Sequence, residues 1–151
     1  MNTAVISFRA HKNLKSWLDY AGKGFDSEGE LLRLIITRAA VEQVNDTGIA
    51  GRVKGLLRRE RAANVGDTGV FAVRLPAQVA DLARECAARR GKTTSEWCAG
   101  VLMEWWQRFH EGCVELDGKV DLAKFATEYR ALVEDLFTVY AQKSNKQAIA
   151  G

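Results

Sequence analysis

Phe71 to Pro76, FAVRLP, alternates apolar residues with small or polar ones and stops at the only proline of the chain. A period of two sends Phe71, Val73 and Leu75 to one face of a strand and Ala72 and Arg74 to the other. Proline fixes φ and lacks an N–H, so it ends a ladder and opens a helix; Pro76 is expected as the first helical residue. Behind it Val79, Leu82, Ala83 and Cys86 recur at i, i+3, i+4 and i+7, one face of an α-helix. The stretch RRGKTTSEW breaks that helix at Gly91. Thr93 and Glu96 then form a Thr-x-x-Glu capping box for a second helix, with Trp97, Cys98, Val101, Leu102 and Trp105 on its apolar face.

The same strand-helix-helix pattern occurs near the N-terminus. Adding 65 carries Ile6, Phe8 and Ala10 onto Phe71, Val73 and Leu75, and Arg9 onto Arg74. It also carries Leu14, Trp17, Leu18 and Ala21 onto Val79, Leu82, Ala83 and Cys86. One position is then inserted, and an offset of 66 aligns Ser27 with Thr93, Glu30 with Glu96, and Leu31, Leu32, Ile35, Ile36 and Ala39 with the second helix face. The capping box thus repeats, while His11 stands in place of the proline. The alternative is two unrelated strand-helix segments in an α+β domain.

One strand and two short helices bury too little surface to fold alone, and a lone strand leaves its backbone groups unpaired. Two copies in one chain meet both needs by pairing their strands antiparallel and interlocking four helices. The expected fold is mainly α with a two-stranded antiparallel β-ribbon, a pseudo-two-fold unit. Residues 1–45 and 68–110 carry the repeats, 46–67 a basic helical linker, and 111–151 a C-terminal amphipathic helix and tail. The linker segment GRVKGLLRRERAA sets Val53, Leu56 and Leu57 among Arg52, Lys54, Arg58, Arg59 and Arg61. It is either a surface helix bridging the copies or an arm that contacts phosphate. After Gly112 a loop is expected. Then Leu122, Phe125, Ala126, Tyr129, Leu132, Val133, Leu136, Phe137 and Tyr140 mark a long helix. Its apolar stripe either finishes the core, with Trp105, Trp106 and Phe109 as partners, or builds an oligomer. From about Lys143 periodicity fades and a disordered tail is expected.

Composition adds modest constraints. The chain has 151 residues, 47% of them apolar, and a net charge of +3. The charge is uneven: residues 1–65 carry 11 Lys and Arg against 7 Asp and Glu, and residues 111–151 carry 5 against 7. The first part can attract a polyanion and the acidic tail cannot. Three cysteines, two of them on predicted helix faces, make a disulfide framework unexpected and a reducing cytoplasm the simplest setting. No apolar run is long enough for a bilayer, no membrane partner is expected, and the first residues lack the layout of a secretion signal.

The motifs VRLP with Arg74, RRGKTTSEW with its turn glycine and Ser-Glu helix start, and the two helix faces resemble the ribbon-helix-helix superfamily of MetJ and Arc, which read DNA with a β-ribbon. The resemblance covers residues 3–44 and 68–110. The second copy is closer; the first departs at His11 and at Gly29, which stands where Ser95 stands in the second. Two copies in one polypeptide resemble the TraY-like accessory proteins of conjugative relaxosomes. That resemblance implies binding to plasmid DNA beside a transfer origin, with a relaxase or another relaxosome protein as partner.

A two-stranded ribbon fits the major groove. The faces away from the core carry Thr3, Val5, Ser7 and Arg9 on one strand and Thr68, Val70, Ala72 and Arg74 on the other. Arginine can pair with guanine O6 and N7, Ser and Thr with a base edge, and Val or Ala with a thymine methyl. The alternative is an ordinary solvated surface, or one covered by another element. Phosphate contacts are expected at the helix starts, where free N–H groups and the helix dipole attract anions. These are Ser27 in the first copy, beside Asp26 and Glu28, and Lys92, Thr93 and Thr94 in the second. Arg52, Lys54, Arg58 and Arg59 join them if the linker is an arm. The acids around Ser27 make the halves unequal, so an imperfect palindrome is expected.

Catalysis is not expected. His11 and His110 have no partner at metal-ligand spacing, and the chain lacks CxxC, a phosphate-binding glycine loop and a nucleophile elbow. No cofactor is expected. The leading function is sequence-specific binding of double-stranded DNA as a relaxosome accessory factor. A transcriptional repressor or autoregulator of the same fold is the alternative within that class. From another class comes a protein-interaction module acting, or self-associating, through the C-terminal helix.

Overall fold

The computed structural model describes residues 2–44, 68–115 and 119–150. Their order is β1 (Thr3–His11), α1 (Leu14–Ala21), a 3-10 turn (Gly22–Gly24), α2 (Glu28–Gln43), β2 (Thr68–Pro76), α3 (Ala77–Arg89), α4 (Thr94–Glu115) and α5 (Leu122–Ala150). Among the described residues the chain is mainly helical with one two-stranded antiparallel sheet. No helix among the described residues is long and apolar enough to cross a membrane.

β1 and β2 pair in a register that runs from Thr3 opposite Pro76 to His11 opposite Thr68. Ser7 faces Ala72 at the centre of both strands. The alternation predicted from sequence holds: Ile6, Phe8, Ala10, Phe71, Val73 and Leu75 are buried, and the residues between them turn outward. Phe8 and Phe71 are register partners, and their rings stack with centroids 5.4 Å apart. Such a directly opposed aromatic pair adds to the stability of a two-stranded sheet, which is marginal by itself.

The helices interlock over this sheet. α4 packs on β1 and α2 packs on β2, so each long helix covers the strand from the other half of the chain, while α3 touches both strands. Side chains tie the halves together as well. The Trp97 indole donates to Gln43 Oε1 at 3.0 Å, and the Arg89 guanidinium donates to the Val44 carbonyl. The predicted helix faces form the core: Leu14, Leu18, Ala21, Leu31, Leu32, Ile35 and Ile36 from the first half, and Val79, Leu82, Ala83, Cys86, Trp97, Cys98, Val101 and Leu102 from the second.

Helix boundaries differ from the sequence expectation in three places. Pro76 is the last strand residue, not the first helical one. Its φ of −52° and ψ of 143° are extended, and the Ala77 N–H donates to the Asn2 carbonyl at 3.0 Å, carrying the pairing one step further. α4 runs through Gly112 and Cys113 to Glu115 where a loop was expected. Its aromatic residues are held by neighbours over the whole preceding turn, and a single helical glycine costs only about 1 kcal/mol. α5 continues through Ala150 where a disordered tail was expected; no Gly or Pro interrupts Leu122–Ala150. The turn between α3 and α4 ends as the glycine predicts. Gly91 has φ 66°, its N–H donates to Ala88 O at 3.0 Å, and the Lys92 N–H donates to Ala87 O at 3.0 Å. These are the two bonds of a Schellman ending.

α5 lies against α2 and the 3-10 turn. Ala126, Tyr129 and Val133 are buried, and the Phe125 ring meets Phe25, Trp105 and Phe109 at 6.0, 6.5 and 5.2 Å. The apolar stripe therefore completes the core along its first turns. Two expected members do otherwise. Leu132, a third of a turn away from Val133, is 42% exposed. Trp106, a third of a turn from Trp105, faces α1 and meets Trp17 at 5.6 Å. Gly24 permits the close approach of α5: a Cβ there would lie 2.5 Å from the Leu122 carbonyl oxygen. Arg130 on α5 forms an ion pair with the buried Glu30, its Nε 2.9 Å from Oε1. That hydrogen bond holds the guanidinium pKa above its usual value.

Candidate nucleic-acid interface

The outer face of the β1–β2 sheet is built by strand alternation alone. Thr3, Val5, Ser7 and Arg9 from β1 and Val70, Ala72 and Arg74 from β2 are exposed; Thr68 is half-buried at the end of the ribbon, opposite His11. The structure brings all eight onto one surface. Val5 and Val70 are 51% and 53% exposed, so two β-branched apolar side chains stand in solvent beside two guanidinium groups.

The register crosses these groups. Arg9 lies opposite Val70, and Arg74 lies opposite Val5, on either side of the central pair Ser7 and Ala72. Four residues along a strand separate the two arginine levels, about 14 Å at 3.4 Å per residue. Arg74 Nη1 donates to the Thr3 hydroxyl at 3.2 Å, which holds that side chain along the ribbon surface. Chemically the face offers two guanidinium forks, small hydroxyls and two methyl-bearing patches, with no carboxylate on either strand. His11 shares the outward parity of Arg9 and extends the face by one step. The strand alternation pointed to it, but the repeat alignment set it aside as the counterpart of Pro76.

The expected phosphate contacts fall into two groups. Ser27 and the trio Lys92, Thr93 and Thr94 stand at the starts of α2 and α4, the helices that pack on opposite strands of the ribbon. The two starts differ. The Thr93 hydroxyl accepts from the Glu96 N–H at 3.1 Å, as a capping box requires. Ser27 has extended backbone, φ −151° and ψ 161°, but its side chain makes no cap bond. The second expected capping box is not formed: the Ser27 hydroxyl makes no cap bond, and the Glu30 carboxylate accepts from the Arg130 guanidinium instead. Lys92 is half-buried, with its ammonium 4.0 Å from where a Cβ on Gly100 would sit. It therefore leans along α4 rather than over the helix start. Arg52, Lys54, Arg58 and Arg59 lie outside the described residues.

No family model, curated protein or solved structure matches this chain. The candidate interface stands on its own geometry: an uncovered ribbon with outward Arg9 and Arg74, on which α2 and α4 from the two interlocked halves pack.

Proposed function

We propose that this chain binds double-stranded DNA sequence-specifically, laying the β1–β2 ribbon in the major groove as a tandem ribbon-helix-helix unit. The observation that carries this reading is the exposed ribbon face, where Arg9 and Arg74 stand beside the half-exposed Val5 and Val70. A ribbon laid in the groove can set these two valines against thymine methyls.

The tandem arrangement is supported by the register. Under the 65-residue offset, Ser7 corresponds to Ala72, and these two are pairing partners at the ribbon's centre. A pseudo-two-fold axis through that pair exchanges Arg9 with Arg74 and Val5 with Val70. The reciprocal packing of α2 on β2 and α4 on β1 fits the same symmetry. One chain then offers the DNA what other ribbon-helix-helix proteins assemble from two subunits.

The biological setting rests on the resemblance to TraY-like proteins: an accessory factor of a plasmid-transfer relaxosome, with a relaxase or related protein as partner, acting in the cytoplasm. A repressor of the same fold makes the same contacts. A second reading, a protein-interaction or self-association surface on α5, is favoured by the exposure of Leu132 and Val139, 42% and 50%, one heptad apart.

The decisive variant is the double substitution Arg9→Ala and Arg74→Ala. Specific DNA retention is expected to vanish while the circular-dichroism melt stays unchanged, since both side chains are exposed. Retention equal to the unaltered chain would instead favour the α5 interaction reading.

A further inference from the structure

The outward face of the ribbon hardly changes under the pseudo-two-fold exchange. Thr3 and Thr68, Val5 and Val70, and Arg9 and Arg74 are the same residue in both strands, and only Ser7 and Ala72 differ. Bases read by this face alone would hold the chain almost equally well in either of two orientations along the duplex. Any preference between them must come from outside the exchanged pairs.

The strand ends supply it. β1 leads out through His11, Lys12 and Lys15, and the residues 65 positions further on are Pro76, Ala77 and Ala80. Lys12 and Lys15 are exposed, and among the described residues neither forms an ion pair. Asp19, the first carboxylate of the chain, stands a full turn beyond Lys15. At the other end Pro76 and Ala77 bring no charge, Ala80 is buried, and Asp81 pairs with Arg84 at 3.1 Å. Arg9 thus has two further cations within six residues, and Arg74 has none.

These side chains stay at the ribbon. Lys12 Cα lies 3.6 Å from where a Cβ on Gly69 would sit, so the turn after β1 runs against the start of β2. Lys15 Nζ stands over the Phe71 ring, 5.6 Å from its centroid. His11 closes the ribbon opposite Thr68 and shares the outward parity of Arg9. Its Nδ1 accepts from the Asn13 N–H at 3.3 Å, which leaves Nε2–H as the ring's donor. Cations and a donor of this kind, set just past a base-reading arginine, suit backbone phosphates, contacts that position a protein without reading sequence.

We propose that His11, Lys12 and Lys15 grip backbone phosphates beyond the Arg9 end of the ribbon and so fix the orientation of the chain on its site. The inference rests on the DNA-binding reading above and names the part of that surface which breaks its symmetry.

The test is phosphate-ethylation interference on a selected duplex at pH 8, with a salt titration of the full chain. Interference is expected at the outer edge of one half-site and not at the other. The double variant Lys12→Gln and Lys15→Gln should lose that interference, bind at least tenfold more weakly, as for loss of charged hydrogen bonds, and show a log–log salt slope smaller by about 2. Both positions are exposed, so its thermal melt should not move; Lys12→Gln alone, with a slope smaller by about 1, decides the matter if loss of the Lys15 contact with Phe71 perturbs folding. His11→Ala should weaken the same edge with little change of slope, because a ring whose Nδ1 accepts a hydrogen bond carries no charge. Equal interference at both edges in the unaltered chain, or lysine variants with unchanged interference and slope, overturns the inference and leaves the DNA reading standing. No specific retention by the unaltered chain overturns the DNA reading, and this inference with it.

Discussion

Arg74 on β2 donates to the hydroxyl of Thr3 on β1 across the outer face of the ribbon, at 3.2 Å. The bond is diagonal, since the register partner of Arg74 is Val5. It restrains a long side chain that would otherwise lose its rotamer freedom on meeting a base. Arg74→Ala and Arg9→Ala are each expected to cost about 1–3 kcal/mol of specific DNA binding. Thr3→Val keeps the shape but removes the acceptor and should weaken binding less than Arg74→Ala does. Fluorescence anisotropy with a selected duplex checks the order, and a thermal melt checks that folding is untouched.

The two helix starts should respond differently to the same kind of substitution. Thr93 caps α4 through its hydroxyl, and Ser27 makes no such bond at α2. Thr93→Ala should cost about 1 kcal/mol of stability. Ser27→Ala should stay within about 0.5 kcal/mol. Urea denaturation of the two variants separates them.

Two glycines give opposite expectations. Gly24→Ala drives a Cβ against the Leu122 carbonyl and the Ala126 side chain, backbone that cannot rotate away. A loss of about 1–3 kcal/mol is expected, with earlier proteolytic release of α5. Gly112→Ala, in the interior of α4 with nothing within 4 Å of its new Cβ, should gain about 0.5–1 kcal/mol.

Alkali should destabilise the fold through buried acids. Burial pushes the Cys98 thiol from 9.0 up to about 12, and burial pushes the Tyr129 hydroxyl from 10.0 up to about 12 despite nearby Arg38. Between these limits the unfolded chain has lost its proton and the folded chain still holds it, so stability falls as pH rises. The contribution from Cys98 is complete below pH 9 and is lost on the way to about pH 12. By pH 10.5 the loss from this group alone is on the order of 2 kcal/mol. Cys98→Ala should show a shallower decline between pH 8.5 and 10.5 in urea-denaturation series, whatever its stability at pH 8.5.

Much of this architecture was legible because it depends on short periodicities. Alternation at Phe71–Leu75 and Ile6–Ala10 named the buried and outward faces of both strands, and the 65-residue offset found their partnership. Long-range effects were not legible. α2 is buried nearly all round, including Leu34, Thr37 and Val41, because α5 covers the side that the first-half pattern alone leaves open. The Glu30 side chain follows a residue 100 positions away instead of its own helix start. Trp106 and Trp105 are adjacent in sequence yet serve different neighbours, and only the packing of α1 and α5 decides which.

The central claim, that the ribbon reads DNA through its outer face, is tested most directly by selecting bound fragments from a random duplex pool with the full chain at near-physiological salt. One recurrent site is predicted, with two unequal half-sites and guanines whose N7 methylation blocks retention. Recovery of fragments with no common sequence, or of a site indifferent to N7 methylation, would contradict it.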